Sequence, residues 1–187
     1  AERRDMVDGA VAEADAMLAT FNALLRIARI ESRGRRSAFA EVDLSALIED
    51  VAELYRPLIE ETGKELKVKC ERGVRMHGDR DALFQAVANL VDNALKYTDR
   101  GGIIEISLTR WEQGVELCVA DNGPGIPSDE RSKVTQRFYR LDSARSTPGT
   151  GLGLSLVSAV AELHEATLLL EDNRPGLRAV LRFVRTV

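Results

Sequence analysis

Asn89, Asn93 and Lys96 fall at i, i+4 and i+7 inside a run with helical periodicity, so they share one stripe of one helix. Asparagine is a mediocre helix former because its amide competes for backbone groups. Two on one stripe beside a lysine point to a polar task facing a ligand, against the plainer reading of a solvated face. Further on, Asp121-Asn122-Gly123-Pro124-Gly125-Ile126-Pro127 and Gly149-Thr150-Gly151-Leu152-Gly153-Leu154 bracket a stretch rich in charge, Ser and Thr. Glycines without a Cβ take positive φ and let backbone amides approach a ligand. A helix that starts after such a loop offers unpaired N–H groups and its positive dipole end to phosphate. Either segment alone reads as readily as a surface turn. Both in this order, one led by a carboxylate, suggest a site for a phosphorylated ligand.

The elements that must position these residues follow from periodicity. Asp43 is placed to cap a helix from Leu44 to about Glu61, with Leu44, Leu47, Ile48, Val51, Leu54 and Leu58 on its apolar face and Pro57 as a kink or early end. Leu66, Val68 and Cys70 alternate as a half-buried strand does, and Val74 and Met76 suggest another short one. Asp79 caps the helix that carries the Asn stripe to about Tyr97, with Leu83, Val87, Leu90 and Ala94 inward and Phe84, Val91 and Leu95 broadening that face. Ile103–Thr109 and Val115–Ala120 form a hairpin around Trp111-Glu112-Gln113-Gly114. A helix from Ser155 to His164 precedes strands Ala166–Glu171 and Leu177–Val184, joined across Asn173-Arg174-Pro175-Gly176. Late hairpin strands with helices between them give an α+β fold, a mixed or antiparallel sheet covered on one face by helices.

Composition excludes several classes. At 187 residues, with 44% hydrophobic and 30% charged side chains, the chain can bury a sizeable core and is not disordered. A net charge of −4 gives no basic footprint for nucleic acid. Cys70 and Cys118 lack metal-ligand spacing and read as reduced, packed thiols of a cytosolic protein. No apolar run is long enough to span a bilayer. The chain starts inside a helical pattern and is therefore expected to be part of something longer.

That first helix runs to about residue 32. Val7, Val11, Ala14, Leu18, Phe21, Leu25 and Ala28 form a heptad seam, which Met17, Leu24 and Ile27 widen as a bundle helix needs. Ser32-Arg33-Gly34-Arg35-Arg36-Ser37 reads as a linker. The seam predicts pairing with another helix; packing on its own domain is the alternative.

Four features in fixed order carry a family resemblance: Asn89-Leu90-Val91-Asp92-Asn93-Ala94-Leu95-Lys96-Tyr97, Asp121-Asn122-Gly123-Pro124-Gly125-Ile126, Arg137-Phe138-Tyr139-Arg140 and Gly149-Thr150-Gly151-Leu152-Gly153-Leu154. Together they resemble the N, G1, F and G2 boxes of bacterial sensor histidine kinases. The resemblance implies a two-layer α/β sandwich of the GHKL type over residues 38–187. Residues 1–37 resemble the second helix of the dimerisation and phosphotransfer hairpin, followed by its linker. It implies ATP and Mg²⁺ as cofactors and a lid over about residues 123–149. Asp121 is expected to accept a hydrogen bond from the adenine amino group, because an acceptor-only carboxylate tells adenine from guanine. Asn93 is expected to bind Mg²⁺ through its amide oxygen. Asn89, Lys96 and Arg140 are the expected catalytic residues, Lys96 neutralising phosphate and Arg140 reaching the γ-phosphate. Tyr97, Gly123, Gly125, Ile126, Thr150, Gly151, Leu152, Gly153 and Leu154 complete the expected nucleotide site. Arg137 and Arg145 are weaker candidates.

The resemblance further implies a response regulator and a phosphoacceptor hairpin as partners, homodimerisation through the first helix, a cytoplasmic location and a full-length kinase anchored in the inner membrane. Related gyrase-type ATPases are expected to carry a Glu base where Asn89 stands. An amide cannot take a proton from water, which favours a kinase over an ATPase. Three departures stand out. Thr135 replaces an expected Phe and is expected to loosen the lid. His164-Glu165-Ala166 replaces a glycine-rich helix stop. The two histidines, His77 and His164, both lie outside the first helix and read as structural or surface, leaving the phosphoacceptor unaccounted for. A degenerate, non-catalytic nucleotide-binding or dimerisation module is the remaining alternative.

Overall fold

A computed structural model describes residues 38–141 and 149–184, together with Ala14, Met17, Leu18, residues 20–25, Ile27, Ala28 and Ile30. In chain order the elements are β1 (Ala40–Asp43), α1 (Leu44–Glu61), β2 (Glu65–Cys70), β3 (Arg75–Gly78), α2 (Arg80–Tyr97), β4 (Ile103–Trp111), β5 (Gly114–Asp121), α3 (Gly153–Leu163), β6 (Thr167–Asp172) and β7 (Leu177–Val184). Five strands form one sheet in the order β2-β4-β5-β7-β6, parallel only between β2 and β4. The fold is thus the expected α+β sandwich with a mixed sheet. β1 pairs with β3 as a separate two-stranded ribbon; β3 is the short strand expected near Met76, whereas the four residues of β1 are too few for a period and gave no signal.

Alternation decides which sheet face is covered. Ile104, Ile106 and Leu108 of β4, Leu117 and Val119 of β5 and Ala179, Leu181 and Phe183 of β7 all enter one core with the three helices. The other face carries charge pairs, among them Lys69–Glu105 at 2.7 Å and Arg182–Glu116 at 2.8 Å, around a small apolar spot of Cys118, Ala120 and Val180. Burial pushes the thiols of both Cys118 and Cys70 up. Cys70 is only half-buried, so it is less packed than expected.

Both aspartate caps form. Asp43 accepts from the Ala46 N–H, and Asp79 accepts from the N–H groups of Asp81 and Ala82. α1 departs from its expected face. Leu54 and Leu58 are 61% and 45% exposed, whereas Tyr55 and Ile59 are buried. The inward stripe runs from Ile48 through Ala52 and Tyr55 to Ile59, and the apolar leucines one residue earlier fall beyond its edge. Pro57 does not end the helix, because it sits on the solvent side where the carbonyl it leaves unpaired meets water.

α3 begins at Gly153, two residues earlier than its periodicity suggests, and ends without the missing glycine. The Glu165 N–H donates to the Glu162 carbonyl and the Ala166 N–H to the Ala161 carbonyl, while Glu165 adopts φ 53°. This is a complete Schellman stop with glutamate in the left-handed position. His164 is buried as a structural residue. Its Nε2 accepts from the Asp79 N–H at 3.0 Å, its Nδ1 meets the Val160 carbonyl at 2.8 Å, and its ring stacks on Phe39 at 4.8 Å. His77 is exposed on β3.

Among the described residues before the sheet domain, all helical, Leu18, Phe21 and Leu25 of the seam are exposed. Ile27 and Ile30 are buried in the domain core, with Ala23 and Leu24 packed against it. The helix therefore presents two apolar faces, one covered by its own chain. Val7, Val11, the linker at 32–37 and Arg145 lie outside the described residues. No described helix is long and apolar enough to cross a membrane.

Candidate functional site

α2 crosses the core side of the sheet with Leu83, Val87, Leu90 and Ala94 inward, which turns Asn89, Asn93 and Lys96 toward a cleft against β5 and α3. The cleft has a volume of about 590 Å³, within the range of small-molecule sites. Asn89, Asn93, Lys96 and Tyr97 line it from α2, and Asp121 from the end of β5. Gly125, Ile126 and Arg140 line it from the segment after β5, Thr150 and Gly151 from the loop before α3, and Gly153 and Leu154 from the start of α3. Two expected residues do not reach it. Gly123 instead donates its N–H to Asp121 Oδ1 at 2.9 Å, and Leu152 is 1% exposed in the core.

Asp121 is 7% exposed at the cleft's inner end. Its Oδ1 accepts from Gly123 and, at 3.4 Å, from the Leu177 N–H, while Oδ2 has no hydrogen bond among the described residues. Burial raises the carboxyl above the usual carboxylate range, and the two N–H donors partly oppose it. An acceptor oxygen fixed in an apolar wall of Val119, Ile126, Leu177 and Ala179 suits a flat heterocycle carrying an amino group.

The other end is polar and open. No side chain among the described residues caps α3, whose first residues Gly153 and Leu154 line the cleft. Lys96 Nζ lies 4.7 Å over the Tyr97 ring and beside Gly149, where a Cβ would approach it to 2.4 Å. The Asn89 amide nitrogen donates to the Gln85 carbonyl at 2.8 Å, which turns Oδ1 toward the start of α3. A Cβ built on Gly153 would meet that oxygen at 3.3 Å and the Asn93 amide at 3.5 Å. Two amide oxygens beside a helix N-terminus make a hard-donor pair that fits Mg²⁺ with a phosphate.

The segment after β5 folds back as turns. The Phe138 N–H donates to the Gly151 carbonyl at 3.1 Å with Phe138 at φ 64°, and Gly151 at φ 72° has no room for a Cβ, which would lie 2.9 Å from the Phe138 backbone. Arg137-Phe138-Tyr139-Arg140 is thereby tied to the glycine loop. Tyr139 donates to Glu130, which also pairs with Lys133. Val134, 6% exposed, supplies the inward apolar contact, while Thr135 donates to the Ser132 carbonyl within its own turn.

Several lining residues carried no signal in the sequence. Leu177 and Ala179 belong to an ordinary alternating strand, and only pairing with β5 brings them to Asp121. Asp92 also lines the cleft and binds the Tyr55 hydroxyl of α1, and burial raises both groups.

With this geometry in place, the comparisons with known proteins are specific. The family of histidine kinase-, DNA gyrase B-, and HSP90-like ATPases matches residues 78–186. The signal transduction histidine-protein kinase/phosphatase MprB of Mycobacterium leprae is 45% identical over 107 residues, 57% of this chain but 21% of that protein. A solved structure of the mycobacterial sensor histidine kinase MprB is similar at TM-score 0.69 and 32% identity, covering 78% of this chain and 97% of that one. Full-length ShkA, solved in complex with AMPPNP, is similar at TM-score 0.82 and 26% identity over 100% of this chain and 40% of that one. The chain belongs to the histidine kinase-, DNA gyrase B-, and HSP90-like ATPase family, in its sensor histidine kinase branch, and has the fold of the catalytic domain of two-component signalling kinases. It spans about a fifth of the length of the MprB relative it matches.

Proposed function

We propose that this chain binds Mg-ATP in the cleft between α2, β5 and α3 and donates the γ-phosphoryl group to a histidine on a phosphoacceptor hairpin. The observation that carries the reading is the cleft's polarity: a buried carboxylate with one unengaged oxygen at one end, and an uncapped helix N-terminus with Lys96 and Arg140 at the other. In this reading Asp121 accepts from the adenine amino group. Tyr97, Gly125, Ile126 and Leu154 border the nucleotide, while Thr150, Gly151 and Gly153 present backbone to the phosphates. Asn93, with Asn89 beside it, would hold Mg²⁺, which would supply charge neutralisation for the phosphates. Lys96 and Arg140 stabilise charge as the acceptor nitrogen bonds to phosphorus, the bridging oxygen leaves with its electron pair on ADP, and the imidazole gives up its N–H proton to water. Transfers of this kind rest on positioning and charge, with little covalent work by the protein.

His77 and His164 serve the fold in this reading, so the acceptor imidazole comes from a hairpin of the same or a partner kinase. The exposed Leu18, Phe21 and Leu25 support homodimerisation through the first helix. A response regulator then takes the phosphoryl group, on the cytoplasmic side of a kinase anchored in the inner membrane. The test is incubation with γ-labelled ATP, alone and with a matching hairpin fragment that carries its histidine. Acid-labile label on the fragment, and none on the chain alone, is the expected result. Label on the chain that is lost with His77 or His164 contradicts it, as does an unlabelled fragment despite measured ATP binding, which favours a degenerate nucleotide-binding module.

A further inference from the structure

The β6–β7 turn lies against the residue on which nucleotide choice depends. β5 and β7 pair from Gly114↔Val184 to Ala120↔Arg178, and the ladder stops one residue short of Asp121. On its other side Asp121 still pairs with Ile104 of β4. Where the β7 ladder stops, a side chain takes over: Asn173 Nδ2 donates to the Asp121 carbonyl at 2.7 Å, across 52 residues of sequence. The turn is itself closed by the Asn173 N–H on the Gly176 carbonyl at 3.0 Å. Its next residue, Leu177, donates to Asp121 Oδ1.

Gly176 makes this approach feasible. It is buried, has φ 113°, and a Cβ there would fall 1.8 Å from the Asp121 carbonyl oxygen. On its far side the Gly176 carbonyl would meet a Cβ on Gly125 at 2.7 Å. The turn is therefore wedged between the two ends of the Asp121–Gly125 loop. It holds Asp121 by its carbonyl and by one carboxylate oxygen, which leaves the other oxygen without a hydrogen bond among the described residues at a residue that lines the cleft.

Resting on the reading of Asp121 as the adenine acceptor, we infer that Asn173 is a positioning residue for nucleotide selectivity, fixing the Asp121 carboxylate through the backbone to which it is attached. Asn173 itself is exposed and does not line the cleft. It acts only through Asp121. Loss of one backbone-directed hydrogen bond lets the end of β5 tilt, and a hydrogen bond from adenine tolerates little misalignment.

The experiment is calorimetry on the full chain with Mg-ATP, Mg-GTP and magnesium tripolyphosphate. It compares the native protein with Asn173→Ala, Asn173→Asp, Asp121→Asn and the Asp121→Asn/Asn173→Ala double variant. Asn173→Ala is expected to weaken ATP about three- to tenfold, the size of one hydrogen bond. It should lower the ATP-over-GTP ratio by a similar factor and leave tripolyphosphate unchanged. Asn173→Asp, which also removes the donor, should do at least as much. In the Asp121→Asn background Asn173→Ala should add less than twofold, because both changes act on one contact. An unchanged ATP-over-GTP ratio in both Asn173 variants, or full additivity in the double variant, overturns the inference. A parallel loss of ATP, GTP and tripolyphosphate also overturns it, since that marks a general folding defect. If the native chain shows no preference for ATP, or Asp121→Asn leaves that preference intact, the reading of the site itself has failed, and the inference with it.

Discussion

At the inner end of the cleft Asp121 is held from three sides, by the Gly123 and Leu177 N–H groups on its carboxylate and by Asn173 on its carbonyl. At the outer end no side chain among the described residues caps α3, and Gly149, Gly151 and Gly153 keep Cβ atoms out of its approach. One end is already satisfied and presents a single oxygen. The other offers the uncapped first turn of α3 to the acceptors of a ligand. Discrimination between bases needs the first arrangement, because a loosely held acceptor would turn to suit the wrong base. Binding and stabilising a polyanion needs the second, because charge is less particular about direction. The inner end should therefore set which nucleotide binds, and the outer end how strongly its phosphates are held.

Substitutions separate the two. Asp121→Asn preserves an acceptor for Gly123 and Leu177 but presents an amide N–H₂ to the cleft. It is expected to cost ATP about 1.5–3 kcal/mol, as for a hydrogen bond to a charged group, or about tenfold or more in affinity. Affinity for tripolyphosphate should be unchanged in the same titration. Lys96→Met should do the converse. The residue is half-exposed, so the expected loss is about 1 kcal/mol, shared by ATP, GTP and tripolyphosphate with the ATP-over-GTP ratio preserved. A changed ratio in Lys96→Met, or a uniform loss in Asp121→Asn, would break the division.

Acid sharpens it further. The folded chain raises the Asp121 carboxyl above its unfolded value, so the ionised form is the one disfavoured by folding. As pH falls through that raised value Asp121 protonates and its acceptor role is lost. ATP-over-GTP selectivity should therefore decline at a pH above the ordinary aspartate value of about 4. The same sign makes ionised Asp121 a cost to the nucleotide-free fold at neutral pH. Nucleotide-free Asp121→Asn should melt above the native chain at pH 7, and the gap should close as the pH falls below both values. A gap that widens on acidification would contradict the burial argument.

How much of this was legible in the sequence depended on whether a residue's role is local. Helix caps at Asp43 and Asp79 and the Asn89–Asn93–Lys96 stripe are set by near neighbours, and the structure places them as their spacing implies, while Leu152 of the glycine loop turns into the core instead. Leu177, Ala179 and Asn173 gave no signal, because their proximity to Asp121 exists only once β7 pairs with β5. The exposed Leu54 and Leu58 show the limit of periodicity, since apolar residues at the stripe's edge are indistinguishable from those inside it. The helix stop at Glu165 shows another limit. A missing glycine predicts a lost motif, yet the backbone bonds of the Schellman turn form without it.

That stop supplies the smallest expected effect and a control remote from both ends. Glu165→Gly relieves a left-handed non-glycine residue, worth about 1 kcal/mol, and gives part of it back through a more flexible unfolded chain. The net gain is about 0.5 kcal/mol, or about 1–2 °C in thermal melting. Nucleotide affinities should be unchanged.

The orientation of the nucleotide underlies every expectation above, and a crystal structure of the chain with Mg²⁺ and a non-hydrolysable ATP analogue tests it directly. The account predicts the adenine amino nitrogen within hydrogen-bond distance of Asp121 Oδ2, the phosphates against Gly151, Gly153 and the start of α3, and the metal on Asn93. Adenine placed at the α3 end, or bound in the cleft without contacting Asp121, would contradict it.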